Sequence, residues 1–341
     1  MNDITIQTDM QVGTVGLTDR FAWKVNRQKG RRLVRLYKPH YPEYAERARM
    51  CATHLQFYAM ENGDKQLMGA NFCHLRLCPM CTSRRALRAA YKLSQVLDKV
   101  QADHEGTIYL FCTLTIRNCT GDKLGDTIGQ LTKGWYRLMD QRQIERSIKG
   151  WFRAVEVTRN KKDGTYHPHL HAILAVEPAY MSRKSGLYIT QAEWVDRWQK
   201  ALRVSYKPSV RIQVTKAKGQ VSGARAAAEE AAKYVVKDSD YIDPDLPDCM
   251  AVQIVKDYTD ALHRRRLTAF GGWLKEAARA LDVGDLDDGD LVHVEKETIR
   301  ADIADYIETY DWHFGAGDYV LTDRRVNPLK VVRQDDRQAD G

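Results

Sequence analysis

The sequence predicts an α+β fold built around an antiparallel sheet, and three observations carry that expectation. Stretches rich in aromatic and β-branched residues recur at Ile108–Ile116, Trp151–Arg159, Tyr166–Val176 and Val210–Thr215. Segments with apolar residues three and four apart lie between the first and second stretches and between the third and fourth. A turn-rich Lys161-Lys162-Asp163-Gly164 link joins the middle two as a hairpin. The resulting order, β-α-β-β-α-β, is that of a ferredoxin-like sheet.

Residues 1–42 come first and read as an extended or disordered basic arm closed by Pro39 and Pro42. Between Arg20 and Tyr41 the chain carries eight Lys or Arg residues and no acid, a pattern that attracts phosphates and releases counterions from nucleic acid. A solvated basic surface would give the same composition. Within this arm Arg31 and Arg32 are the candidate DNA contacts. Residues 43–104 then read as a helical, zinc-binding module: Tyr44–Tyr58 looks helical, and Ser83 to Ala102 carries Ala86, Ala90, Leu93, Leu97 and Val100 along one face. Between these helices lie Cys73, Cys78 and Cys81, with Cys51 upstream. Seven cysteines without secretory features do not suggest disulfides, and four thiolates suit a closed tetrahedral structural Zn²⁺. His54 and His74 are alternative ligands, while Cys112, Cys119 and Cys249 read as free cysteines. Arg76, Arg84 and Arg85 around the cluster are further candidate phosphate contacts.

Residues 105–245 hold the predicted sheet. Its first crossover is the helix Leu124–Ile148, with Ile128, Leu131, Trp135 and Leu138 on one side. Its second is Gln191–Val204, with Trp194, Val195, Trp198 and Leu202. Residues 246–341 read as a helical C-terminal region whose acidic stretch, Asp282 to Asp305, does not face DNA. A net charge of +8 and 29% charged residues suit a globular protein, and no apolar run is long enough to cross a bilayer. The N-terminal MNDITIQTDMQVG has neither a charged start nor an apolar stretch, so a cytoplasmic location is expected.

Two places in the sheet domain carry chemistry. His169 and His171 are two residues apart on one strand, so both imidazoles leave the same face, and His167 shares their parity. Glu156 lies across the hairpin amid apolar neighbours, where a carboxylate is costly unless paired. Two imidazoles and a carboxylate with open positions suit Mg²⁺ or Mn²⁺ that must also take a phosphate oxygen. Ordinary polar residues on an exposed sheet face would also give a His-x-His pair. The second place is the alanine-rich helix Ala224–Lys237, where Glu230, Tyr234 and Lys237 share a face. A lysine beside a phenol favours the nucleophilic phenolate, and Glu230 could take its proton or activate a water. Tyr206 and Tyr241 are rival nucleophiles by proximity.

Taken in order, these motifs resemble the plasmid rolling-circle replication initiators, the single-tyrosine Rep branch of the HUH endonucleases. The resemblance rests on Phe111-Cys-Thr-Leu-Thr-Ile-Arg-Asn118, His167-Pro-His-Leu-His171 and Glu230-Ala-Ala-Lys-Tyr-Val-Val-Lys237, and runs from about Cys51 to about Leu274. Cysteine patterns of this kind precede the first motif in that family. The resemblance implies a HUH nuclease fold and a metal on His169 and His171 that polarises the scissile phosphate of a single-stranded or hairpin nick site at the origin. It further implies attack by Tyr234 to leave a 5′-phosphotyrosine and a free 3′-OH for a polymerase, with Glu230 assisting water in a terminating cleavage. The sequence holds no Gly-x-x-x-x-Gly-Lys-Ser/Thr motif, so a host helicase is expected to unwind the duplex. A mobilisation relaxase or single-tyrosine transposase would use the same chemistry. A non-catalytic zinc-dependent DNA-binding regulator would use the basic arm and cysteines but give the histidines no purpose.

Overall fold

The structure is a computed structural model that describes residues 22–215, 228, 238–294 and 299–330. Tyr234, Glu230 and Lys237 lie outside the described residues. Two antiparallel sheets organise the chain. The larger contains β3 (Ile108–Thr115), β4 (Gly150–Arg159), β5 (Tyr166–Val176), β6 (Val210–Val214) and β7 (Thr268–Gly271) in the order β6-β3-β5-β4-β7. Its first four strands are the ferredoxin-like set, and β7 extends the β4 edge through pairs such as Phe152 with Phe270.

The crossover helices α4 (Leu124–Met139) and α6 (Gln191–Leu202) cover one face of this sheet. Leu114, Val155, Leu170 and Leu174 from the strands meet Ile128, Leu131, Trp135, Trp194 and Trp198, all fully buried. Gly134 sets the approach of the two helices: a Cβ there would come within 2.9 Å of Leu202 Cδ2. A capping box starts α6, with Thr190 N–H donating to Glu193 Oε2 at 2.8 Å. The expected single helix 124–148 breaks at Gln141, whose extended backbone starts the short α5 (Arg142–Ser147) and lets the chain turn into β4.

Among the described residues, the opposite face is covered at one end by α3 (Pro79–Asp103). This helix packs Leu93, Val96, Leu97 and Val100 onto Phe111, Phe152, Ile173 and Ala175, and Ala228 joins the same cluster. The metal-ligating candidates lie on the same face, toward the Thr115 end of β3.

Three sequence expectations need correction. The basic arm is helical from Trp23: α1 (Trp23–Tyr37) buries Trp23, Arg27, Leu33 and Leu36, a helical spacing hidden among lysines and arginines. The helix expected at 44–58 is α2 (Pro42–Met50) followed by β1 (His54–Ala59); Ala52 at φ +52° ends helical geometry, and Leu55, Phe57 and Ala59 then alternate with outward residues. The C-terminal region is only partly helical. Beside α7 (Asp248–Leu262) and α8 (Gly272–Ala280) it supplies β8 (Tyr306–His313) and β9 (Asp318–Val326). These pair with β1 and β2 (Lys65–Ala70) in the order β2-β1-β8-β9, because Leu55, Phe57 and Ala59 find register with Tyr310, Glu308 and Tyr306. The cysteine module is therefore closed by residues more than two hundred positions away and shares one core with the larger sheet.

Candidate metal centre

Sheet register brings Glu156 opposite His169 and Ala154 opposite His171, so the carboxylate and both imidazoles share one face. Glu156 Oε2 lies 2.8 Å from His171 Nε2 and 3.4 Å from His169 Nε2, and the two Nε2 atoms are 3.1 Å apart. An ion about 2.1 Å from three adjacent octahedral ligands would set those ligands about 3 Å apart, which this triangle matches.

Neighbouring contacts decide which ring atoms face the triangle. His169 Nδ1 meets the carbonyl of His167 at 3.1 Å, so Nδ1 carries the proton and Nε2 presents a lone pair. His171 Nδ1 lies 3.2 Å from Thr113 Oγ1, a hydroxyl able to accept from it. His167 turns its own Nδ1 to Asn118 Oδ1 at 2.7 Å, and burial lowers its pKa. With neutral rings, at most one proton can serve the three contacts among Nε2, Nε2 and carboxylate; a cation answers all of them. Burial raises the Glu156 pKa, but without a cation, hydrogen bonds donated by protonated His169 and His171 outweigh it and hold the carboxyl far below its ordinary range; with neutral rings the carboxylate needs the cation instead. Glu156 and His169 are also 7% and 8% exposed, so a carboxylate is kept charged in a nearly closed position that can hold a divalent ion. Thr113 and Asn118 were not singled out from sequence as site residues. The signal was present, because the alternation of Thr113 and Thr115 on β3 places both on the histidine face, opposite His171 and His169.

The cysteine cluster forms a second ligand set. Cys51 ends α2, Cys73 follows β2, and Cys78 and Cys81 begin α3; the pairs Cys51–Cys81, Cys73–Cys81 and Cys78–Cys51 have Sγ separations of 3.5, 3.6 and 3.6 Å. Tetrahedral zinc with sulfur at about 2.3 Å requires edges of about 3.8 Å. All four are buried, and the cluster matches the expected residues. Hydrogen bonds from Cys51, Cys73 and Cys81 lower the Cys78 pKa, whereas hydrogen bonding to Cys73, Cys78 and Cys81 pushes Cys51 up, so four thiolates together call for a cation. His54 instead faces Asp311 at 2.8 Å, and His74 lies outside the cluster. Cys112, Cys119 and Cys249 are free thiols away from it.

The candidate DNA contacts divide. Arg31 is exposed on α1. Arg84 is buried, donating to Leu291 O at 2.8 Å and Val292 O at 2.6 Å, and so does not face phosphate. Arg76 donates to Arg265 O at 2.7 Å, Arg85 to His74 O and Leu75 O, and Arg32 to Leu246 O at 2.6 Å, so part of each guanidinium is turned to the chain's own carbonyls. The acidic stretch folds back in the same way: Asp287 Oδ2 accepts from Leu267 N at 2.6 Å and Thr268 N at 3.0 Å. Of the rival tyrosines, Tyr241 is 1% exposed and donates its hydroxyl to Leu77 O. The Tyr206 hydroxyl accepts from Arg117 N at 2.9 Å, with the Arg117 guanidinium 4.2 Å from the ring centre.

Fold and site together define an α+β protein whose ferredoxin-like sheet brings two histidines and a glutamate into a group that could hold a metal ion, with a four-cysteine cluster as a second such group. The chain belongs to the replication-protein family: residues 64–320 match the family model described as Replication protein. It is 34% identical over 300 residues to a protein named Protein rep from Bacillus amyloliquefaciens, covering 84% of this chain and 87% of that one. A Protein rep from Streptococcus pneumoniae is 36% identical over 252 residues, covering 74% and 76%. A Staphylococcus aureus Replication protein is 33% identical over 215 residues, covering 62% of this chain and 90% of the relative. No solved structure matches the chain.

Proposed function

We propose that the protein initiates rolling-circle replication of a plasmid by nicking and rejoining single-stranded or hairpin DNA at the origin. The observation that carries this reading is the Glu156–His169–His171 triangle, whose facing acceptors fit a divalent ion. Mg²⁺ or Mn²⁺ held there would polarise the scissile phosphate and offset charge developing on its oxygens. Thr113 and the His167 carbonyl keep both imidazoles turned inward, and Glu156 stays ionised beside them.

The Tyr234 oxygen attacks phosphorus, forming a phosphotyrosine bond to the 5′ side while the P–O3′ bond breaks. The phenolic proton passes to Glu230 or solvent, and the departing oxygen takes up a proton to become a 3′-OH. Lys237 favours the phenolate. The linkage conserves the phosphodiester's energy, so rejoining is the reverse displacement. What supports this choice of tyrosine is its spacing from Glu230, four residues before, and Lys237, three after.

The DNA-binding regulator leaves the acceptor triangle unexplained. A host helicase and polymerase complete the proposed reaction, in the cytoplasm; no helix of the described residues is long and apolar enough to cross a membrane. The test is cleavage of single-stranded origin oligonucleotides with Mn²⁺. Wild type should nick one oligonucleotide of the set, and His169→Ala with His171→Ala should abolish it. Failure of wild type on every origin sequence overturns the enzyme reading.

A further inference from the structure

Tyr206 and Arg117 stand beside the histidine and glutamate triangle without belonging to it. Arg117 follows β3 and is exposed, its guanidinium 4.2 Å from the Tyr206 ring centre, and its backbone N–H donates to the Tyr206 hydroxyl at 2.9 Å. The loop that carries Tyr206 is pinned to the end of β3, where Thr115 N and Oγ1 donate to Ser209 O at 3.1 and 3.0 Å. A chain of contacts leads from there to the ligand set. Asn118, next to Arg117, meets His167 Nδ1 through Oδ1 at 2.7 Å, and the His167 ring centre lies 5.4 Å from that of His169. Charge follows the same edge: from Arg203 to Thr215 the chain has three cations and no acid. Arg211 on β6 is exposed and in register with Thr113, which is itself opposite His171. It therefore shares the histidine face, roughly 10 Å from His171 along the backbone of the sheet, two strand spacings away.

Among the described residues neither Arg117 nor Arg211 pairs with an acid. Cations left open beside a group that itself holds a cation repel it, unless the occupant brings negative charge of its own. The guanidinium resting on Tyr206 also offers a flat outer plane, which accepts the face of a nucleobase. In a duplex those faces are taken up by stacking on one another, so the matching ligand is a single strand. We infer that the β6 edge grips single-stranded DNA next to the metal centre: an unpaired base stacks on the Arg117–Tyr206 pair, and Arg211 takes a backbone phosphate. The inference rests on the reading of that centre as one that cuts a single strand, and names where the strand is held. It gives Tyr206 a part in binding rather than in attack.

The experiment follows binding of fluorescein-labelled oligo(dT) to the full-length protein by anisotropy, without added Mn²⁺ and across a salt series. Tyr206→Ala should weaken binding about tenfold with the salt slope unchanged, since a stacked base contributes about that much and carries no charge. Tyr206→Phe keeps the ring and should stay within about twofold of wild type. Arg211→Ala should reduce the log–log salt slope by about 0.7, the share of one single-strand phosphate. Tyr206→Ala should leave affinity for the matching duplex unchanged. The inference is overturned if wild type does not bind oligo(dT), if Tyr206→Ala binds as tightly as wild type, or if Tyr206→Phe is as weak as Tyr206→Ala. An unchanged slope in Arg211→Ala, or an equal loss on the duplex in Tyr206→Ala, overturns it as well. Cleavage judges the enzyme reading separately: a wild type that cuts no origin oligonucleotide sinks that reading, while the binding series still decides whether the grip exists.

Discussion

Thr113 Oγ1 lies 3.2 Å from His171 Nδ1, on the adjacent strand and in register with it. By accepting from that nitrogen the hydroxyl leaves the Nε2 lone pair turned toward Glu156, 2.8 Å away. Outer partners of this kind commonly contribute 10- to 100-fold to metal affinity, so Thr113→Val should weaken Mn²⁺ binding by about tenfold, measured by titration calorimetry. The variant keeps the shape and β-propensity of threonine, so the sheet should be unaffected. Equal affinity in the two proteins would remove Thr113 from the site.

Glu156 makes stability depend on acid in a definite direction. Its folded pKa is depressed below the unfolded value of about 4.3, so its contribution is fully present above that pH and is lost as pH falls through the folded pKa. In metal-free protein the melting-temperature gap between wild type and Glu156→Gln should therefore be largest near neutrality and narrow below about pH 4. A gap that widens on acidification contradicts the paired carboxylate.

The cysteine cluster should carry about one zinc per chain by metal analysis. Cys78→Ser removes the ligand at the start of α3 and exposes the shared core to loosening, so it should lose the metal and melt at least about 5 °C lower. Zinc-free wild-type protein that melts normally would sink the assignment.

Arg84 gives a cleaner separation between binding and folding. It is 5% exposed and donates two charge-assisted hydrogen bonds into the segment Leu291–Val292, so Arg84→Ala should cost about 3 kcal/mol in denaturant unfolding. DNA affinity of the folded variant at permissive temperature should be unchanged. Loss of affinity with full stability would restore Arg84 to the DNA surface.

Period and parity made the larger sheet readable in advance. The strand boundaries at Ile108, Trp151, Tyr166 and Val210 fall within one residue of those in the structure, and the hairpin register follows once Gly164 closes the turn. His169, His171 and Glu156 were legible for the same reason, since alternation fixes a face and a hairpin fixes a partner. Where long-range pairing decides local structure, sequence pattern was silent. His54–Ala59 is a central strand, paired with β2 on one side and on the other with β8 from more than two hundred residues downstream, and nothing in the intervening chain announces that second pairing. In α1 the burial of Arg27 against Trp312 disguises a helical face as a run of charge. Arg84 misled for a related reason: a guanidinium facing solvent and one buried against carbonyls have the same letter in the sequence.

The central claim is that Tyr234 becomes joined to DNA with the help of the Glu156–His169–His171 site. Its most direct measurement is mass spectrometry of the protease-digested adduct formed with Mn²⁺ and the origin oligonucleotide. The account predicts a nucleotide attached through phosphate to the peptide containing Tyr234, absent from Tyr234→Phe and retained by Tyr206→Phe. An adduct mapped to Tyr206 or any other residue, or one that persists in Tyr234→Phe, would contradict it.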